Sequence, residues 1–286
     1  MKTAQREAEM LVKVQEYVHA LFGNLPIRRL LRGTNHCYVL GNPPQYVVKT
    51  QSDDPQAQYE AVQFYQKAGI PVAPIVHCNL QPPGFKKAIL VMKYIDHDPD
   101  ASLDEQEMGS VLRRMHEIHL SGSGKLKEGR GRNKSWQEFL QEYVGHWTAE
   151  YQLIGVDPER YLAGTHELPT LQTLVHGDFT RNNILVKENR IVAVIDPNGI
   201  VGDPMFDLAI CTYDPERKDM ADVLRGYAPE GLTPDEVMRL NKYHQLIRLQ
   251  KAGWITKVLA KEELPEKRRE WFENRRKNCL ESLTRG

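Results

Sequence analysis

The stretch LVHGDFTRNNILV, residues 174–186, constrains this chain more than any other. An apolar run ends at His176, polar residues follow, and a second apolar run starts at Ile184. A turn between two buried strands needs one or two polar residues, yet this one carries Asp178, Arg181, Asn182 and Asn183 together. Beyond it, ILVK (184–187) and IVAVI (191–195) flank Glu188-Asn189-Arg190. Folded as an antiparallel hairpin with residue 187 facing 191, residue 183 faces 195. Asn183 and Asp196 then lie side by side at the open end, and Asp178 sits on the turn that feeds the same end. Two carboxylates and an amide oxygen converge from three short segments.

Oxygen donors of this kind suit magnesium, which takes one or two protein carboxylates plus substrate phosphates. Asn183 and Asp196 are the candidate metal ligands, and Asp178 is left to accept the proton of an attacking hydroxyl. Both strands are apolar on both faces, a rigid platform for such groups. Taken singly, each of these residues more often caps a turn. The spacing argues otherwise: Asp178 and Asn183 stand as in the kinase pattern H-R-D-x-x-x-x-N, and an Asp follows at the end of the next hairpin.

HGDFTRNNILV followed by VIDPNGIVGDPMFDLAI resembles the aminoglycoside phosphotransferase family, the small-molecule branch of the protein-kinase-like fold. Residues 176–183 and 195–209 carry the resemblance, and the order of elements agrees across most of the chain. The I-D-P-x-G-x-x-G-D-P wording looks most like the streptomycin- and hydroxyurea-type kinases. The resemblance implies that Asp178 is the catalytic base or hydroxyl-orienting carboxylate. It implies that Asn183 and Asp196 hold Mg2+, and that His176 and Asp207 brace the catalytic loop. Asp203-Pro204 reads locally as a helix start, with Asp203 as cap and Asp207 early in the helix, where a carboxylate is favoured. Where a protein kinase has D-F-G, this chain has Asp196-Pro197-Asn198; A-P-E and G-x-G-x-x-G segments are missing too. A small-molecule acceptor is expected, not a protein.

A nucleotide needs a cation for its phosphates. Lys49 ends the strand QYVVK, as the V-A-I-K lysine of kinases does. Glu60, on the next helix beside Ala57, Ala61 and Phe64, is its expected carboxylate partner. Gly33-Thr34-Asn35 stands where the family covers the phosphates with a turn. The run AILVMKYI (88–95) resembles the strand and hinge between lobes, so backbone groups at Lys93, Tyr94 and Ile95 are expected to face adenine.

The expected fold is α+β: a two-lobed kinase-like chain with a β-rich nucleotide-binding lobe over 1–95 and a larger helical catalytic lobe over 96–286. Apolar spacing predicts a helix over 4–22. Three strands follow in IRRLLRG, CYVLG and QYVVKT, then a helix from Asp54-Pro55 to Gly69, then strands PIVHCNL and KAILVMKYI. Helical patterns cover 104–120, 135–152, 217–228, 233–259 and 264–283. SGSGKLKEGRGRN (121–133) reads as a mobile surface loop; no G-K-[ST] makes it a phosphate loop. His116 and His119 share a helix face but lack a third ligand, so a structural role is expected. Trp136, Phe139, Leu140, Tyr143, Val144 and Trp147 form a core stripe. Glu138, Glu142 and Glu150 around it are either solvated or face a cationic acceptor.

Lys plus Arg and Asp plus Glu are equal at 38 each, so no global field draws the chain to nucleic acid or a membrane. Four scattered cysteines fit a reducing, cytoplasmic setting, and the charged N-terminus does not read as a signal peptide. Residues 96–260 are mildly acidic, which favours a cationic acceptor slightly; the basic KRREWFENRRKN near the end argues mildly against a very acidic pocket. The expected function is transfer of the γ-phosphoryl group of ATP or GTP to a hydroxyl of an antibiotic. A metabolite kinase for choline, a sugar or an amino-acid derivative is the alternative, and an inactive nucleotide-binding regulator is the alternative from another class. A monomer or homodimer is expected.

Overall fold

The structure, a computed structural model, describes residues 2–30, 37–50, 54–165, 168–169, 171–213, 220–261 and 264–284. Helix α1 (Lys2–Phe22) leads into strands β1 (Ile27–Leu30), β2 (Cys37–Leu40) and β3 (Tyr46–Lys49). Helix α2 (Pro55–Lys67) precedes β4 (Ile75–Asn79) and β5 (Ile89–Lys93). The five strands form one antiparallel sheet in the order β1-β2-β3-β5-β4. Alternation along the strands serves two layers. Tyr38, Leu40, Val48, Ile89 and Val91 pack with Val14 and Val18 of α1. Leu90 and Met92 point the other way, into the cluster that contains Ala57, Ala61 and Tyr65 of α2. The predicted caps of α2 hold: Asp54 accepts from the Ala57 amide at 3.1 Å, and Pro55 opens the first turn.

The rest is helical around two small sheets. Helix α3 (Glu105–Met115) packs on α8 (Met220–Tyr227), and α9 (Pro234–Lys261) packs on α7 (Pro204–Thr212) and α10 (Glu266–Thr284). The predicted helix over 135–152 is two helices, α4 (Trp136–Gly145) and α5 (Thr148–Leu153), broken at His146-Trp147; the short α6 (Glu159–Leu162) follows. The aromatic stripe is core: Trp136 stacks on Phe139 and meets Phe206 edge-on.

The segment 121–133 departs from expectation. It is a hairpin of β6 (Ser123–Lys127) and β7 (Arg130–Asn133). β6 pairs with β11 (Ile200–Gly202), which pairs with β8 (Thr173–Val175), giving the order β7-β6-β11-β8. The glycines that suggest a loop permit this packing. Gly131 lies so close to the Ser123 backbone that a Cβ would meet Ser123 N at 2.3 Å. No helix among the described residues is long and apolar enough to cross a membrane.

Candidate active site

The second hairpin, β9 (Ile184–Lys187) and β10 (Arg190–Val194), turns through Glu188 and Asn189, both at positive φ. The turn is one residue shorter than the sequence suggests, because Lys187 faces Arg190 rather than Ile191. A bulge between Ile191 and Ala193 then adds the missing residue, and Val194 faces Ile184. At the open end the register is therefore the expected one: the Ile195 amide donates to the Asn183 carbonyl at 2.9 Å. Asn183 and Asp196 emerge next to each other.

Asp178, Asn183 and Asp196 each have a defined set of partners. Asn183 Nδ2 donates to the Asp178 carbonyl and to Asp178 Oδ2, both at 2.9 Å. This locks the loop across five residues and leaves the amide oxygen of Asn183 to other donors or a cation. Asp178 is half-buried, and its Oδ1 accepts no hydrogen bond from the described residues. Asp196 has φ of 57°, a conformation that costs a non-glycine residue about 1–3 kcal/mol and persists only where the surroundings enforce it.

The enforcement comes from His176. Its Nδ1 accepts from the Asp178 amide at 3.2 Å, so Nε2 carries the proton and donates to the Ile195 carbonyl at 2.9 Å. Its own carbonyl accepts from the Asn198 amide at 2.6 Å. Beneath it, Asp207 is fully buried and accepts from the amides of His176 (2.5 Å) and Gly177 (2.6 Å). The two residues thus hold the loop from inside. His116 joins them: Nδ1 faces the Tyr227 hydroxyl at 2.9 Å and Nε2 faces Asp207 Oδ2 at 3.3 Å. Burial raises the Tyr227 phenol far above its usual range, so it stays protonated and donates. His119 is not part of this line; it bridges to Thr173.

Lys49 is buried and its Nζ lies 3.0 Å from Asp196 Oδ1. Glu60 is not its partner, contrary to expectation. The Glu60 carboxylate accepts from the amides of Glu128 (3.0 Å) and Gly129 (2.9 Å), at the tip of the β6–β7 hairpin, and from Gln56. Burial pushes its carboxyl up, but the Gly129 amide, Gln56, the Glu128 amide and Lys127 outweigh it and bring the group below its ordinary value. The α2 side chain that does reach Asp196 is Gln58, with Nε2 3.0 Å from Oδ1. Sequence reading missed it, although Gln58 lies on the buried stripe Ala57, Gln58, Ala61, Val62 and Tyr65. A buried amide on an apolar stripe wants a partner.

The Lys93 amide is committed to the Pro74 carbonyl and the Tyr94 amide to the Gln45 carbonyl, each at 2.8 Å. Neither is available to a base; of the three residues only Ile95 keeps an amide unbonded to any described residue. Gly33, Thr34 and Asn35 lie outside the described residues. Among the acidic candidates, Glu138 accepts from the Lys134 amide and Glu142 from Asn133. Tyr143 comes near the site instead. Burial raises its hydroxyl well above the usual range, and the nearby Asp178 carboxylate raises it further. Asp203 is more than a helix cap. Fully buried, it accepts from the Met205 amide (2.9 Å), Arg239 Nη1 (2.5 Å) and the Tyr243 hydroxyl (2.9 Å).

The model of the phosphotransferase enzyme family matches residues 27–239, from the first strand to α9. The chain belongs to the aminoglycoside phosphotransferase family. Hygromycin-B 4-O-kinase of Escherichia coli is 27% identical over 128 residues, which span 37% of this chain and 38% of that protein. The match thus covers well under half of that curated relative's length. A thermostable mutant of the aminoglycoside phosphotransferase APH(4)-Ia, in its apo form, superposes with a TM-score of 0.72 at 18% identity, covering 94% of this chain and 98% of that one. A choline/ethanolamine kinase family protein from Mesorhizobium loti gives 0.64 at 18% identity, covering 100% and 96%. These similarities establish the kinase-like family fold, with its N-terminal sheet and helical C-terminal part.

Proposed function

We propose that this chain is a small-molecule kinase that transfers the γ-phosphoryl group of ATP or GTP to a hydroxyl of an aminoglycoside-like or other antibiotic, giving resistance. The observation that carries this reading is Asp178: Asn183 holds one carboxylate oxygen at 2.9 Å, and the other bonds no described residue. A carboxylate fixed this way can align an acceptor hydroxyl and take its proton. Lys49 supplies the cation for the nucleotide phosphates, with nucleotide bound on the 1–95 side and acceptor on the 96–286 side. The donor set fits Mg2+: the amide oxygen of Asn183 and the Asp196 oxygen not held by Lys49 and Gln58 are hard ligands. Magnesium, when bound, offsets the negative charge of the phosphates. Catalysis is then positioning plus charge neutralisation, in a cytoplasmic setting that suits four free cysteines.

APH(4)-Ia has been seen with AMP-PNP and hygromycin B together, which supports a nucleotide and a small-molecule acceptor for this chain also. A second reading, a metabolite kinase, is favoured by one observation. Glu138 and Glu142 spend carboxylate oxygens on their own neighbours, so they add little to a site for a polycation. The similarity to a choline/ethanolamine kinase family protein points the same way. An inactive regulator fits less well, because Lys49, Asp178, Asn183 and Asp196 are all present.

The test is magnesium-dependent nucleotide consumption against aminoglycosides, peptide antibiotics, hydroxyurea, choline and sugars, with Asp178→Ala as control. Turnover with one compound, lost in the control, establishes reaction and acceptor class together. Nucleotide binding without turnover on any compound shifts the reading to another metabolite or to a regulator. A chain that binds no nucleotide is not a kinase.

A further inference from the structure

We propose that Gln58, and not Glu60, is the α2 residue that positions the Lys49–Asp196 pair for nucleotide and metal, an inference that rests on the phosphotransferase reading above. Gln58 is only 3% exposed. Its Nε2 donates to Asp196 Oδ1 at 3.0 Å, and Lys49 Nζ meets the same oxygen at 3.0 Å. Two donors on one oxygen set the rotation of the carboxylate and turn its second oxygen outward. Asp196 needs such an external hold, since its backbone sits at φ of 57°.

Glu60 is excluded from that place by helix geometry. Two residues further along, it projects about 200° around the helix from Gln58. Its carboxylate is spent on the Glu128 and Gly129 amides of the hairpin tip. The rotation of α2 is in turn fixed by Gly199, three residues after Asp196. Gly199 lies at φ +59°, and a Cβ there would meet the Ala57 carbonyl oxygen at 2.3 Å. Hairpin tip and Gly199 thus grip α2 from two sides, and Gln58 is the side chain this grip aims at Asp196. The chemistry favours an amide here. A glutamate at 58 would set a second carboxylate against Asp196, whereas glutamine donates a hydrogen bond and adds no charge.

The experiment titrates Mn2+ in the presence of ADP by electron paramagnetic resonance, on the full chain and on Gln58→Met, Gln58→Asn and Glu60→Gln. Methionine keeps the volume and removes the donor. The expected result is an Mn2+·ADP Kd raised about tenfold or more in Gln58→Met at little change in Tm, the scale of one lost hydrogen bond to a charged group. Glu60→Gln should lower Tm while changing that Kd less than threefold. Gln58→Asn, which keeps the amide but shortens its reach, should weaken binding as well, and it carries the test if the methionine variant does not fold. Wild-type affinity in a folded Gln58→Met, or in Gln58→Asn where that variant stands in, overturns the proposal. So does an equal loss in Glu60→Gln. An unmodified chain that binds no Mn2+·ADP overturns the phosphotransferase reading itself, and the proposal with it.

Discussion

Lys49 Nζ and Asp196 Oδ1 stand 3.0 Å apart, so the candidate phosphate cation and the candidate metal carboxylate hold each other directly. Each is the other's counter-charge inside a site where Lys49 is buried. Replacing Lys49 by Ala removes the candidate phosphate cation and leaves the Asp196 carboxylate with Gln58 as its side-chain donor among the described residues. Loss of one charge-assisted contact to the nucleotide lowers kcat/KM for nucleotide by about 10- to 100-fold. Steady-state kinetics with nucleotide varied at saturating acceptor checks this.

Asp178→Ala should separate chemistry from binding. Turnover falls by about 10²- to 10⁴-fold, the range of a lost general base, while nucleotide affinity stays within a few-fold. Single-turnover rates and equilibrium nucleotide titration on the same preparation measure the two quantities.

Cys37 reports on the same carboxylate. It faces Lys49 across the β2–β3 ladder. Burial, and then the Asp196 charge, push its thiol from an ordinary 9.0 up to about 11, against the pull of Lys49. At pH 8 the thiolate is therefore about a hundredfold scarcer than for an ordinary cysteine. Asp196→Asn removes the raising charge and leaves the lowering one. Peptide-resolved alkylation should show Cys37 slow in the wild type and faster in the variant.

Asp203→Ala should cost stability rather than chemistry alone. It leaves Arg239, whose side chain is 6% exposed, with the exposed carboxylate of Asp235 as its remaining ion pair, and removes the acceptor of Tyr243. Breaking a buried pair by deleting one partner costs up to about 3–5 kcal/mol, and Asp235 offsets part of that. Urea unfolding followed by circular dichroism should show the midpoint fall by the corresponding amount.

Glu60 gives an acid-side signature. Its folded carboxyl lies below the ordinary 4.5, so its contribution is full above that value and fades as pH falls through the lowered one. The Tm gap between wild type and Glu60→Gln should be open at pH 6 and close as pH drops below about 4.5.

Much of this arrangement was legible in the chain. The five N-terminal strands alternate apolar residues between punctuating turns, and α2 announces itself through Asp54 and Pro55. The Asp178–Asn183 spacing is local, so it survives translation into structure unchanged. The Glu60 error has a physical origin. Glu60 lies off the buried stripe of α2, and its partners are backbone amides 68 and 69 residues away, which carry no side-chain signal. β6 and β7 escaped notice because Gly, Lys and Arg read as loop, and β11 because Ile200–Gly202 is only three residues long. The β6–β7 pairing comes from close backbone approach at Gly131, not from branched side chains. His116 was rightly given a structural part, but its link through Asp207 to the loop joins residues 91 apart.

The bulge on β10 has a consequence of its own. The hairpin turn is one residue short and the bulge one residue long, so the two irregularities cancel before the chain reaches Ile195. The spacing of Asn183 and Asp196 is thus a difference between two counts, and neither irregularity can drift alone. Deleting Val192 would remove the bulged residue and leave Ala193 facing Leu185 and Val194 facing Ile184 over an unchanged turn. A chain with that deletion is expected to keep Asn183 beside Asp196, whereas smoothing the bulge with Val192 retained would move Asp196 one place along.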